Sequence, residues 1–203
     1  MEDHNEALQA DAHFVISVFG DNGVGKSTFL QHLYFQKFIV CDPYASGEYY
    51  IKFTPEGLDS KPAYLRFYEF TRVESSSAMR ELLIRNSQAC ILMCSISNHS
   101  LWQVLDQFAL IERIKKKEQF PVLLVGNKCD TEEARVTTTK QLEDLAHLNK
   151  NVIFLETAAK YGINVNFATE LLIRKLREFG VSPRPNLSKN PPKFKQTKKC
   201  VTC

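Results

Sequence analysis

No stretch of this chain approaches the ~20 consecutive apolar residues of a membrane-spanning helix, so no segment reads as a helical span. The N-terminus, MEDHNEALQADA, is acidic and polar, so it is not expected to be a signal or transit peptide. Gly does not follow Met1, so the N-myristoylation pattern is missing as well. Nor do the 6 cysteines read as a disulfide framework. Cys41 and Cys129 lie in or beside candidate ligand loops, Cys90 and Cys94 in an apolar strand, and Cys200 and Cys203 at the end. Without an export signal, the expectation is free thiols in a reducing compartment. Acidic residues are absent after Gly180, where six of the 26 basic residues fall (Arg184, Lys189, Lys193, Lys195, Lys198, Lys199). The chain before that point holds 20 basic against 23 acidic residues, although the net charge is +3. A basic tail on a slightly acidic body suits a local anionic partner rather than a nucleic-acid-binding domain.

What is present suits one globular domain: 203 residues, 44% hydrophobic and 24% charged. Short apolar, β-branched runs alternate with amphipathic stretches. Strands are predicted at 13–19, 48–53 (an edge strand), 63–70, 89–95, 121–125 and 152–155. Helices are predicted at 26–36, 75–86, 101–117, 137–148 and 165–179, the last stopped by Gly180 and Pro183. Nearly all-apolar strands alternating with helices predict an α/β fold with a mostly parallel sheet covered on both faces. Residues 1–12 read as a flexible extension, 13–180 as the domain, and 181–203 as a disordered tether rich in proline and lysine.

Three segments, each just after an apolar run, carry the chemistry. The first is GDNGVGKST, Gly20 to Thr28, a full Gly-x-x-x-x-Gly-Lys-Ser pattern between a strand and a helix. Its backbone N–H groups and the helix N-terminus are set to cradle phosphates through Asp21, Asn22, Gly23, Val24, Gly25, Lys26, Ser27 and Thr28. Lys26 is the candidate catalytic cation for the β- and γ-phosphates, and the Ser27 hydroxyl the candidate Mg²⁺ ligand. The second is NKCD, Asn127 to Asp130. Asp130 accepts a donor pair that guanine offers and adenine does not, and sites of this kind discriminate by roughly 10⁴–10⁵. Asn127 is expected to brace the loop, and the Lys128 stem to cover the ring face. The third is ETAAK, Glu156 to Lys160, where Thr157, Ala158, Ala159 and Lys160 complete the base site, with the Ala158 N–H aimed at the guanine carbonyl. In parallel sheets ligands bind beyond the carboxyl ends of strands, so the three loops should open on one edge.

The order and spacing of GDNGVGKST, NKCD and ETAAK resemble the Ras superfamily of small GTPases, over about residues 13–179. The resemblance implies a single P-loop NTPase domain of the small G protein type with a six-stranded sheet, GTP and GDP as ligands, Mg²⁺, and two switch loops that sense the γ-phosphate. It also implies effector and exchange-factor proteins as partners and a monomer. Phe38 matches the aromatic that packs on guanine. SISNHSLWQVLDQF followed by PVLLVGNKCD is similar to the Ras branch, whereas ETAAKYGINVNFA suits Rab proteins equally.

Four departures touch hydrolysis. Asn22 replaces the second P-loop glycine and crowds the space of the water-positioning Gln and the arginine finger. The switch I threonine is missing from CDPYASGEYY: Ala45 stands near its position, and Ser46 is the nearest hydroxyl. DTAGQ is replaced by YEFTRVESSS, which leaves Glu69 as the only stand-in for the Mg²⁺-linked Asp and supplies no glycine. No Gln follows: Thr71, Arg72 and Val73 occupy that stretch, with Arg72 either an internal finger or a solvated surface residue. Intrinsic turnover in the Ras template is only ~10⁻⁴ s⁻¹, and an activating protein adds about 10⁵-fold. Slow GTP hydrolysis is therefore expected, and a GTP-loaded scaffold that does not cycle is the alternative. An ATP-using P-loop enzyme would need no Asp130.

The chain ends KKCVTC. Cys200-Val-Thr-Cys203 has the C-a-a-X shape with an unusual final residue, and prenylation of both cysteines is a second option. A redox or metal CxxC pair lacks partner ligands. One lipid chain binds only marginally, and upstream lysines add roughly 1 kcal/mol each near an anionic leaflet. The expected location is the cytoplasmic face of a plasma membrane or endomembrane, lipid-anchored on a tether of up to ~75 Å. With one aromatic (Phe194) and no folded module, the tail is not expected to bind nucleic acid.

Overall fold

The computed structural model describes residues 10, 12–35, 47–56, 61–70, 77–99, 101–116 and 119–185. Among the described residues seven strands, β1 (Ala12–Gly20), β2 (Glu48–Phe53), β3 (Ala63–Glu69), β4 (Ala89–Ser95), β5 (Val122–Asn127), β6 (Val152–Thr157) and β7 (Arg184–Pro185), form one sheet. The spatial order is β2-β3-β1-β4-β5-β6, with β7 pairing β1 off that path. All pairs are parallel except the β2–β3 and β1–β7 ladders. Five helices cover the faces: α1 (Lys26–Phe35), α2 (Ser77–Asn86), α3 (Leu101–Lys115), α4 (Thr139–His147) and α5 (Val165–Glu178).

The central strands are apolar throughout because both faces are buried. Successive residues of a strand point to opposite faces, and here they feed two separate cores. Val18, Ile91 and Leu123 pack with Phe29 and Leu30 of α1 and Leu172 and Ile173 of α5. Their neighbours Phe19, Leu92 and Leu124 pack with Ile84 of α2, Val104 and Phe108 of α3 and Leu142 of α4. β3, beside the edge strand β2, instead alternates: Leu65 and Phe67 are fully buried, and Tyr64, Arg66 and Tyr68 are half-buried on the other face.

Three expectations are corrected. The sheet has seven strands rather than six, and the folded body runs to Pro185, past the Gly180 boundary. The reason is the turn after α5. Gly180 is left-handed (φ +64°), its N–H donates to Arg177 O (2.9 Å), and the Val181 N–H donates to Leu176 O (3.0 Å). This closure reverses the chain and packs Val181 on the first core. Gln88 then clasps the returning segment. Its Oε1 accepts from Val15 N (3.1 Å), and its Nε2 donates to Ser182 O (2.5 Å). Arg184 Nη1 donates to Asn86 O (2.7 Å). Third, β5 and β6 run two residues beyond their predicted ends, so Asn127 and Thr157 are ladder partners. α4 starts at Thr139 because Thr138 caps it, sharing a reciprocal box with Gln141.

Candidate nucleotide site

The loops after β1, β5 and β6 meet at one edge of the sheet, and Asn127 is the side chain that joins them. Its Nδ2 donates to Val24 O in the first loop (2.7 Å). Its Oδ1 accepts from Thr157 Oγ1 (2.9 Å) and from Ala159 N (3.0 Å) in the third. Asn127 is 2% exposed, and all three bonds are buried. Buried polar groups need such partners, since each one left unmade costs about 1–3 kcal/mol. Gly25 is required at this junction: at φ +104°, a Cβ would stand 2.2 Å from Asn127 Nδ2. Gly20 is required by close approach, because its Cβ would meet Met93 O at 2.3 Å.

In the first loop Lys26 is 5% exposed, and its ammonium donates to Gly20 O (3.1 Å) and Asp21 O (3.0 Å). Burial lowers its pKa, while Glu69 and Asp21 pull the other way. Ser27 Oγ donates to Glu69 Oε1 (2.5 Å), and the Tyr49 hydroxyl reaches Glu69 Oε2 (3.4 Å). Burial raises the Glu69 carboxyl above its ordinary value, against the Ser27 hydrogen bond, Lys26 and Tyr49. Asp21 Oδ1 accepts from the exposed Asn22's N–H (2.8 Å), and its Oδ2 accepts from Gln103 Nε2 of α3 (2.5 Å). Gly23 is exposed, Thr28 half-buried and Val24 fully buried.

Ser27 and Glu69 fit a hard divalent cation: two adjacent oxygens, one a carboxylate. Among the described residues no group of three or more His, Cys, Asp and Glu gathers. Such an ion would therefore take its remaining ligands from phosphate and water.

In the second loop Lys128 is left-handed (φ +68°), and its carbonyl accepts from Thr131 N (2.9 Å) and Thr131 Oγ1 (2.8 Å). Cys129 N donates to Thr157 O (3.0 Å), tying this loop to the third and leaving the Asp130 side chain exposed. In the third loop Lys160 is exposed, with its ammonium 5.2 Å from the Tyr161 ring centroid. The expected donor, Ala158 N–H, is already used: it donates to Ile163 O (3.1 Å) and its carbonyl accepts from Ile163 N (3.2 Å). That small antiparallel bridge closes the loop on itself.

Sequence reasoning missed the brace beneath this loop. Arg135 pairs both oxygens of Glu156 (2.9 and 2.9 Å), and Thr139 Oγ1 adds a third bond (2.8 Å). The Arg135 hydrogen bonds hold the Glu156 carboxyl below its ordinary value. No local signal marks Arg135, which lies 21 residues before its partner. Gln103 was missed for the same reason. Phe38, the switch positions Ala45, Ser46, Thr71, Arg72 and Val73, and the tail cysteines Cys200 and Cys203 lie outside the described residues.

A mostly parallel α/β sheet with a P-loop after β1 and two further loops wired to it defines a nucleotide-binding domain of the small G protein class. The Ras family profile matches residues 15–178, and the chain belongs to the Ras family. It is 29% identical over 192 residues to Ras-like protein 2 of Drosophila melanogaster, covering 93% of this chain and 97% of that one. It is 35% identical over 169 residues to Ras-like protein 2 of Mucor circinelloides f. lusitanicus, covering 81% and 82%. As a Ras-like small GTPase it is a GTP-binding molecular switch. Its family binds GTP and GDP, typically with Mg²⁺, and hydrolyses GTP.

Proposed function

We propose that this chain is a lipid-anchored switch on the cytoplasmic face of a membrane, acting in signalling or vesicle traffic with weak intrinsic GTP hydrolysis. The carrying observation is the Asn127 junction, which holds the phosphate loop and both base loops in one arrangement. Asp130 reads the guanine edge, with Lys128 and Lys160 beside the ring and Phe38 as the candidate aromatic to pack on it. Lys26 moves from the loop carbonyls to the phosphate oxygens. A Mg²⁺ ion held by Ser27, with Glu69 behind it, would neutralise phosphate charge.

What the chain's own residues do for hydrolysis is limited. Phosphoryl transfer depends on positioning and charge stabilisation. Asn22 fills finger space, and Thr71, Arg72 and Val73 offer no amide side chain to orient water. Glu69 has one more methylene than Asp, and its raised pKa makes it a poorer anion until a cation arrives. These same features favour the second reading, a GTP-loaded scaffold whose partners read a surface that does not cycle. At the C-terminus, Cys200 and Cys203 are the prenylation candidates, backed by the lysines before them.

The test is the nucleotide that co-purifies with the protein, identified by acid extraction and chromatography, followed by single-turnover hydrolysis. GDP with slow turnover supports the cycling switch. GTP with no turnover, even with activating proteins added, moves the scaffold ahead. ATP in the extract overturns both readings.

A further inference from the structure

The helices run from the nucleotide edge back to the opposite edge, so their C-terminal ends and the starts of the parallel strands share that far edge. Cations stand there in a row. Arg184 is in β7 beside the start of β1, Arg85 is at the end of α2 leading into β4, Lys116 lies between α3 and β5, and Lys150 sits just before β6. All four are exposed. β1, β4, β5 and β6 are consecutive neighbours in the sheet, so at about 4.8 Å per strand the row is roughly 15 Å long.

Hydrogen bonds fix the backbone beneath the row. Arg184 is tied to Asn86 O, and the buried Lys115 ammonium donates to Arg85 O (3.3 Å) and Ser87 O (3.0 Å). The acidic residues nearby have partners already: Glu81 takes Arg113 (2.7 Å) and, more weakly, Arg85 (3.9 Å), while Glu112 accepts from Asn149 Nδ2 (3.0 Å). Lys116, Lys150 and Arg184 have no carboxylate within ion-pair distance among the described residues. The chain that follows Pro185 carries five further lysines and no acidic residue. One end of the row is therefore the root of the basic tail.

We infer that this edge is a membrane-facing surface, a rigid row of cations that lies on anionic headgroups and turns the nucleotide loops away from the bilayer. The inference rests on the proposed anchoring and adds the folded body to it. A row of exposed cations along one edge of the sheet fits an extended anionic surface. Single-stranded nucleic acid is the weaker fit, because it binds by stacking on exposed aromatics, and Phe120, the ring beside Lys115, is 4% exposed.

The test uses the full, unlipidated chain and vesicles of phosphatidylcholine with about one third phosphatidylserine, read by sedimentation. Each cation near such a surface contributes several-fold to binding, so the triple variant Arg85→Gln/Lys116→Gln/Lys150→Gln should bind at least about tenfold more weakly. Its thermal midpoint should match the parent, since all three side chains are exposed. A second variant, Lys195→Gln/Lys198→Gln/Lys199→Gln, probes the tail alone. Loss in the tail variant with no loss in the body variant overturns the inference and leaves the anchoring intact. Loss in the body variant only sustains the inference and removes the tail's part in anchoring. No binding by the parent chain overturns the inference, as does release of vesicles by a single-stranded oligonucleotide that binds the body cations more tightly.

Discussion

The base side and the phosphate side of the nucleotide edge are built differently. On the base side the protein's polar groups satisfy one another. Asn127 uses its amide on Val24, Thr157 and Ala159, Ala158 bridges to Ile163, and Glu156 is held by Arg135 and Thr139. On the phosphate side the groups are matched provisionally. The Lys26 ammonium sits on its own loop's carbonyls, and Glu69 is a buried carboxylate with a raised pKa held by the Ser27 and Tyr49 hydroxyls. One half is closed by paired polar groups, while the other holds a buried ammonium and a buried carboxylate side by side. The loops on the base side are thus braced by side-chain and backbone bonds together, whereas the phosphate side concentrates buried charge.

Removing the junction breaks this contrast most directly. Asn127→Ala would strand Val24 O, Thr157 Oγ1 and Ala159 N in a buried place. The nucleotide-free protein should lose about 3 kcal/mol in urea denaturation. GDP affinity, read by fluorescent-nucleotide titration, should fall on the order of 100-fold. An unchanged affinity would mean that the base loops hold their shape without the junction.

Glu69→Gln sharpens the phosphate half. Gln still accepts from Ser27 but offers a cation no charge, so the gain in GDP affinity on adding Mg²⁺ should shrink about tenfold. The pH effect has a definite sign. A carboxyl whose folded pKa is raised stabilises the fold below its ordinary value and loses that contribution as pH rises through the folded one. Without nucleotide, the variant should lack this decline and be slightly the more stable at neutral pH.

The smallest effect belongs to the brace. Glu156 has a lowered pKa in the fold, so its pairing contributes above the ordinary carboxyl value and is lost as pH falls through the lowered one. Arg135→Ala should cost about 1 kcal/mol at neutral pH, and the difference should fade in thermal melts as pH falls below the ordinary carboxyl range.

How much of this was legible depended on distance along the chain. The strands β1, β4 and β5 announced themselves because burial on both faces demands unbroken apolar runs. Glu69 stood out as the lone acid at the end of β3, and Asn127 as a brace by its motif. Its partners did not, because Val24 and Ala159 come to it only when three strands align. Gln103 reaches Asp21 across 82 residues, and nothing local marks Gln103. β7 was hidden by its own composition: Val181 to Pro185 reads as a tether because proline opposes strands. Two prolines are tolerated there because the ladder is two residues long and Gln88 supplies bonds that no pattern reveals. The Ala158 bridge to Ile163 was not legible either, because a backbone donor's partner is a property of the closed loop, not of the residue.

The pairing of Ala12 with Pro185 and of His13 with Arg184 has a mechanical consequence. β1 enters and β7 leaves side by side and in opposite sense, so the segments before residue 12 and after residue 185 depart in the same direction. Pulling them apart would load this ladder one rung at a time, like a zipper, rather than shearing it along its length. With only two rungs, it is a fuse of low rupture force. A tug on the tail would open Arg184 and Pro185 first, before the longer ladders that hold β1 to β3 and β4.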